Sequence, residues 1–474
     1  MFLKTITRWF SREEFTGPGA YNELMRIAYP LILMSASNVV MQFADRKFLG
    51  NSSTAEMAAA MPSGVLFYTL FCFFLVSANF TSAIVAQLFG TGARRDCVRA
   101  AWSGFYFSLF SSGFIAIVVP FLGYLILKLS LSATLFPRAW TYFYTIVPSG
   151  IFACLSAPLF AFYSGRGKTL PVALINIGIC LANIILDWVL IFGKFGLPRM
   201  GIFGAGIATS LSAMGGFLAI LTLYLSIDQK VYPTRSLRRF QFEYIRKLLR
   251  YGTPAGLQVL SDVGSFTLIL LIVGRLGEVA LAATTIAFSI NNLSFLPLLG
   301  ISDGTAIVCG QYIGRKMKKI ASRVPFRAWR LAFIYMLLTG IFYVTSPDYI
   351  ISVFKPDNPD GSIDFAEVAE QGRLVLLLAA FWNLCDTMKF VFGGGLRGAG
   401  DTRAILLINT FCAWVLAVPG ICLMVFVLQP SILTVWGYMV FVTATEGLLT
   451  LWRYRTGKWR SIRMVNPLGD PPGI

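Results

Sequence analysis

The chain has 474 residues, of which 56% are hydrophobic and 13% are charged, and its formal net charge is +18. A soluble domain carries about 25% charged residues, so this composition excludes a soluble globular protein and indicates a polytopic membrane protein built from helices. The sequence contains no histidine, which excludes imidazole metal sites and histidine proton relays.

The first apolar segment of the chain lies between Pro30 and Gly50. The residues before it contain no uninterrupted apolar core with a cleavage site, so we expect residues 1–26 to form a cytoplasmic amino-terminal segment. Apolar segments long enough to cross a bilayer, about 20 residues each, follow along the chain. We predict twelve spans, at 27–50, 57–89, 101–128, 140–163, 170–194, 203–226, 253–275, 281–310, 329–347, 374–395, 403–428 and 432–452.

The positive charges alternate with the predicted spans. Most of the 40 lysines and arginines fall in loops on the side of the two termini. The positive-inside rule therefore places both termini and Ser236 in the cytoplasm and Asn358 outside. The basic character belongs to the inner loops, so we expect no nucleic-acid partner. We predict a multi-pass protein of the cytoplasmic (inner) membrane, with the lipid bilayer as a partner.

The two halves of the chain repeat each other. An offset of 224 residues matches Pro30 with Pro254, Gln87 with Gln311 and Gly90 with Gly314. A second offset, of 233 residues, relates the glycine-containing loops 165–169 and 398–402, which we predict to be tight inner turns. Two parallel copies with a cavity between them, open to one side at a time, are typical of a transporter. The predicted domains are a six-helix lobe at 27–226, a cytoplasmic linker at 227–252, a second six-helix lobe at 253–452 and a cytoplasmic tail at 453–474.

Four polar residues of the first lobe lie at similar depth in the membrane. Asp45 is near the outer end of span 1, Asn183 and Asp187 share one face of span 5, and Thr209 lies in span 6. Their oxygens are hard ligands suited to Na⁺, and a pair of carboxylates can instead hold a proton. The structural alternative pairs Asp45 with Arg46 or Lys47 and Asp187 with a neighbouring hydroxyl. Adjacent residues on a helix point in different directions, which disfavours the pairing of Asp45 with Arg46.

The second lobe carries its acids at other positions. Asp262 in span 7 and Asp386 in span 10 lie at matching depth, about 14 Å from the inner boundary. They either bind a cation or substrate, or they are paired buried acids that close the lobe. Asp303, Lys389 and Glu446 lie near inner ends of spans, where their charges could reach the interface, and we expect them to be structural.

Pro30 has a further consequence for span 1. It leaves the carbonyl of Arg26 without its usual helical donor, so we predict a hinge at the inner end of this span.

The sequence contains neither a clustered nucleophile and base nor a metal motif. Nothing in it therefore indicates an enzyme.

The whole pattern resembles one known family. The resemblance is carried by Pro30 with Asp45 in span 1, 87–90 after span 2, 183–187 in span 5, 204–209 in span 6 and 395–402 after span 10. In order and spacing these residues resemble the multidrug and toxic compound extrusion (MATE) family of the MOP superfamily, in its bacterial NorM- and DinF-like forms, over residues 25–455.

The resemblance implies an all-α membrane protein with twelve transmembrane helices in two pseudo-symmetric six-helix lobes. It implies a secondary active antiporter that exports organic cations and amphipathic compounds in exchange for Na⁺ or H⁺ and needs no cofactor. It assigns a cation-coupling site, able to take Na⁺, to Asp45, Asn183, Asp187 and Thr209, and a cation or substrate site to Asp262 and Asp386. The alternative is a lipid-linked oligosaccharide flippase of the same superfamily, which extra spans and a cationic central cavity would favour.

Overall fold

The computed structural model describes residues 12–354, 365–428 and 431–465, and within these ranges all regular secondary structure is helical. Twelve of the described helices are long and apolar enough to cross a membrane, which confirms the predicted all-α membrane fold. Asn358 lies outside the described residues. The spans are formed, in order, by Tyr21–Ser52, Thr54–Asn79 with Thr81–Gly90, Arg94–Ser130, Phe136–Gly165, Thr169–Phe192, Gly201–Ser226, Phe242–Val273, Glu278–Gly314, Val324–Thr345, Phe365–Ala399, Thr402–Leu428 and Ile432–Arg455.

Several helices extend beyond the apolar segments that predicted them. Span 3 begins at Arg94 rather than at 101, and span 7 begins at Phe242, inside the predicted linker 227–252. Hydropathy detects only the apolar middle of a helix, whereas main-chain hydrogen bonds continue into the polar turns. At the start of span 7, Glu243 and Lys247 lie one turn apart and form an ion pair of 2.5 Å, which supports this extension.

Contacts divide the chain into two compact units. Of the described residues, the amino-terminal unit holds Leu33–Val259, Gly310–Lys316 and the residues from Arg463, and the carboxy-terminal unit holds the residues up to Ile32, Leu260–Cys309 and Met317–Ile462. In spans 1 and 7 the boundary falls shortly after Pro30 and Pro254, each of which lies inside a continuous helix. Each proline removes a main-chain donor and so weakens the helix close to the boundary.

Apolar packing fixes the spans inside each unit. In the amino-terminal unit one core cluster includes Leu49 of span 1, Ile191 of span 5 and Ala205 of span 6. Each of these three lies one helical turn from an acid or hydroxyl of the predicted cation site. In the carboxy-terminal unit the buried Trp436 packs on Phe288, with ring centroids 5.0 Å apart.

Matching turns of the two halves share a backbone conformation. Gly167 and Gly400, related by the 233-residue offset, have φ values of 76° and 85°. Gly92 and Lys316, related by the 224-residue offset, have φ values of 82° and 61°. This left-handed region favours glycine, so Lys316 occupies a position at which a side chain is strained. The tight turns predicted at 165–169 and 398–402 are confirmed, while their location on the inner side stays a prediction.

Within the amino-terminal unit the ends of spans 2 and 8 meet at two glycines. A Cβ atom at Gly90 would lie 2.1 Å from the backbone oxygen of Gln311, and one at Gly314 would lie 2.0 Å from that of Gln87. Gln311 also donates from Nε2 to the backbone oxygen of Gly165 at 2.9 Å. The contact is reciprocal. Gly90 meets Gln311, which corresponds to Gln87 in the other half, and Gly314 meets Gln87 itself.

Span 11 contains two stretches of wider turns. Phe411–Ala417 and Met424–Leu428 are π-helical, and Val418–Leu423 between them is α-helical. Pro419 in this region has no main-chain N–H to donate, which favours a departure from regular α-helix. Asn409 lies in the last α-helical turn before the first wide stretch, and wide turns of this kind are frequent at functional sites.

Candidate functional site

The four predicted residues of the amino-terminal unit meet at one place. The Asn183 amide lies between the two carboxylates, and its nitrogen donates to Asp45 Oδ1 at 2.9 Å and to Asp187 Oδ2 at 3.3 Å. A carboxylate only accepts hydrogen bonds, which assigns the nitrogen to this side of the amide. The opposite end of the amide lies 3.4 Å from Thr209 Oγ1. Spans 1, 5 and 6 therefore converge on the single amide group of Asn183.

The amino-terminal site is largely closed to solvent. Asn183 and Asp187 are fully buried, and Asp187 Oδ1 has no hydrogen-bond partner among the described residues. Asp45 is partly buried, whereas Arg46 and Lys47 are exposed. The ion pairs of the described residues do not join Asp45 to either of these bases. Asp45 thus turns toward Asn183, and in the part of the chain that the structure describes no basic side chain forms an ion pair with it.

The two carboxylates of this site repel each other when both are ionised. Because one nitrogen lies within 3.3 Å of both, the two bonded oxygens are at most about 6 Å apart. Two unit charges at that distance repel by about 3 kcal/mol at an effective dielectric constant of about 20. A cation bound between them offsets this repulsion, and the unpartnered oxygen of Asp187 offers it a hard ligand.

A second polar cluster lies in the carboxy-terminal unit. The Lys389 ammonium of span 10 is 3.0 Å from Glu446 Oε2 of span 12 and 3.4 Å from Asp262 Oδ1 of span 7. Asn409 of span 11 donates from Nδ2 to Asp262 Oδ1 at 2.5 Å and to Glu446 Oε1 at 3.2 Å. Four spans are thus joined through one ammonium and one amide.

Asp386, the other predicted residue of this unit, lies one turn before Lys389 on span 10. It is buried and lies within electrostatic range of Lys389, Glu446 and Asp262. Among the described residues, the hydrogen-bonded and ion-paired partners of the Asp262 carboxylate are Lys389 and Asn409. The structure therefore places both predicted acids in one cluster but joins Asp262 to a lysine and an amide.

Lys389 and Glu446 pair with each other at 3.0 Å inside the unit, and their side chains are 16% and 9% exposed, so the structure does not show them reaching outward as the sequence allowed. Their structural role stays a prediction. Burial of an isolated charge is costly, and pairing lowers this cost. One sequence signal could have identified the lysine. It lies three residues after Asp386 and so on the same helical face.

A model of the MatE family matches residues 30–189 and again residues 254–423. The chain belongs to the MatE family. The two matches begin 224 residues apart, the offset that relates Pro30 to Pro254. The family assignment made from the sequence is confirmed.

Proteins similar to this MatE chain include two bacterial relatives. One, named "Probable multidrug resistance protein NorM", comes from Thermotoga maritima and is 25% identical over 446 residues, which are 93% of this chain and 94% of that protein. A protein of the same name from Bradyrhizobium diazoefficiens is 28% identical over 445 residues, which are 91% of this chain and 92% of that protein. The similarity therefore extends over nearly the whole length of each relative.

Solved structures show the same fold. An outward-facing multidrug resistance MATE transporter of the MOP superfamily superposes with a TM-score of 0.83 and 19% identity, over 92% of this chain and 95% of that chain. A MOP superfamily transporter from Pyrococcus furiosus gives a TM-score of 0.82 and 19% identity, over 93% and 96%. At this identity the likeness establishes the fold, which is the MATE-type fold. The family and its fold are those of transporters, so the chain is not an enzyme.

Proposed function

We propose that this MatE protein is a secondary active multidrug efflux antiporter, which exports organic cations and other amphipathic compounds in exchange for Na⁺ or H⁺. The observation that carries the proposal is the pair formed by the partly buried Asp45 and the buried Asp187, bridged by Asn183, in which one oxygen of Asp187 has no hydrogen-bond partner among the described residues. The names of the two bacterial relatives support a role in drug resistance. No observation favours the alternative, a lipid-linked oligosaccharide flippase.

The coupling cation is cargo that enters the amino-terminal site from outside. A ligand shifts a conformational equilibrium only by its different affinity for the two states. A cation at Asp45 and Asp187 offsets their repulsion and lets span 1 settle against span 5. Pro30, which leaves the carbonyl of Arg26 without its helical donor, provides the hinge for this movement.

The carboxy-terminal acids complete the proposal. Asp262 and Asp386 supply negative charge for a cationic substrate, and the predicted lobes 27–226 and 253–452 alternate access to it. The protein acts as a monomer in the cytoplasmic membrane, with both termini in the cytoplasm, as the distribution of lysine and arginine predicts.

The proposal is tested with purified protein in proteoliposomes loaded with a fluorescent organic cation. A Na⁺ gradient and a pH gradient are imposed separately, and release of the cation is followed over time. We expect one of the two gradients to drive transport. Failure of both gradients to move any organic cation would refute the antiport. Transfer of a lipid-linked oligosaccharide between leaflets by the same vesicles would establish the flippase instead.

A further inference from the structure

We infer that Lys389 determines substrate specificity in the carboxy-terminal unit. Its ammonium group occupies the place of a bound cation, and a monovalent organic cation binds by displacing it from Asp262. The inference rests on the proposed function, because it concerns the substrate of the proposed exporter.

The two contacts of Lys389 are unequal. The shorter one, 3.0 Å, is made to Glu446, whose side chain is 9% exposed. The longer one, 3.4 Å, is made to Asp262, whose side chain is 33% exposed. An incoming cation therefore reaches Asp262 first, while Lys389 can keep its buried partner. The longer contact is also the one with less Coulomb attraction to lose.

Asn409 prepares Asp262 for this exchange. The amide is almost completely buried and donates to both carboxylates, at 2.5 Å and 3.2 Å. It holds the two acids in position whether or not the ammonium bridges them. Its oxygen has no hydrogen-bond partner among the described residues, so one more donor can be accepted beside the carboxylates.

The surroundings indicate the class of ligand. An organic ammonium matches the group that it replaces, since both present one positive charge and an apolar body. The Phe390 ring, whose centroid is 5.4 Å from Lys389 Nζ, shows that an aromatic face already accompanies a cation here. Asp386 is buried one turn from the lysine on the same helix, which adds a further acid to the cluster.

A purely structural ion pair is the rival explanation. A buried pair can often be replaced by uncharged side chains at little cost, whereas the loss of one partner leaves an uncompensated charge. If Lys389 and Glu446 only close the unit, removal of both leaves substrate binding unchanged. If the lysine competes with substrate, removal of both frees Asp262 and tightens binding. The net charge of the cluster is the same before and after this double replacement.

The experiment measures the dissociation constant of ethidium, a fluorescent organic monocation, for the full-length protein in detergent by fluorescence anisotropy. For Lys389→Met/Glu446→Gln we expect binding at least about tenfold tighter than in the wild type, a fold-change within the range of measured couplings between close charge pairs. For Glu446→Gln alone we expect binding at least about threefold weaker, because the lysine then has Asp262 as its remaining partner. Addition of Asp262→Asn to the double variant should remove the gain.

Each outcome has a distinct meaning. Unchanged or weaker binding in the double variant overturns the inference while the proposed function stands, provided that the wild type binds and exports ethidium. A gain that survives Asp262→Asn also overturns it. If the double variant does not fold, Glu446→Gln decides, and a dissociation constant equal to that of the wild type overturns the inference. A wild-type protein that neither binds nor exports any organic cation overturns the proposed function itself.

Discussion

Replacement of Asp187 by asparagine removes one charge of the buried pair and keeps the volume of the side chain. A cation bound between the two carboxylates lies no more than about 6 Å from either oxygen. At an effective dielectric constant of about 20, the lost attraction is at least about 3 kcal/mol. We therefore expect Asp187→Asn to bind the coupling cation on the order of 100-fold more weakly and to lose ion-driven export. Asp45→Asn should behave alike, and the double variant should be little worse, because the two act as one unit.

Two measurements on the same preparations test this prediction. Calorimetry gives the affinity for the coupling ion, and ethidium release from proteoliposomes gives the ion-driven export rate. Asp348→Asn is the matched control, because Asp348 pairs with Arg373 on the exposed surface, where an ion pair contributes little. We expect the control to match the wild type and ethidium binding to remain measurable in every variant. Export by Asp187→Asn at the wild-type rate under the same gradient would show that the pair is scaffold and that the coupling scheme is wrong.

Three further predictions concern other parts of the chain. Asp386→Asn should lower export of organic cations without lowering the amount of protein in the membrane, as measured by transport and immunoblotting; undiminished export would mean that this acid only packs the unit. Gly90→Ala should destabilise the protein by about 1–3 kcal/mol, seen as a lower melting temperature, because its Cβ would lie 2.1 Å from a backbone oxygen of span 8. Gly113→Ala, with nothing within 4 Å of its Cβ, should melt like the wild type. An impermeant maleimide added from outside should label Ser352→Cys and spare Ser236→Cys, and the opposite pattern would invert the topology.

The fold and the amino-terminal site were within reach of sequence reasoning for one physical reason. A helix has a fixed rise and a fixed turn, so residue numbers give depth in the membrane and a shared face. Asn183 and Asp187 follow from this regularity, and Asp45 and Thr209 follow from equal depth. The structure brings these four residues together, while their role in coupling stays a proposal.

The contacts of the carboxy-terminal cluster could not be predicted from the depth of its residues in the membrane alone. Whether Lys389 turns toward Glu446 or toward the interface depends on the rotation of each span and on which spans are neighbours. Asn409 was also missed, since it precedes the π-helical stretch of span 11, which no hydropathy pattern reveals. The start of span 7 at Phe242 was missed for a related reason. The first turns of this helix are polar, and hydropathy detects only the apolar turns that follow them.

The glycine contact between spans 2 and 8 has the form of an interface between two identical subunits related by a twofold axis, where one surface meets its own copy. If two identical copies preceded the fused chain, a single substitution there altered both sides of the contact at once and its steric cost was doubled. In the fused chain each side mutates separately, yet either new Cβ would still lie 2.0 to 2.1 Å from a backbone oxygen. Gly90 and Gly314 therefore constrain each other, because a larger side chain on either side would have to displace the backbone on the other side of the contact.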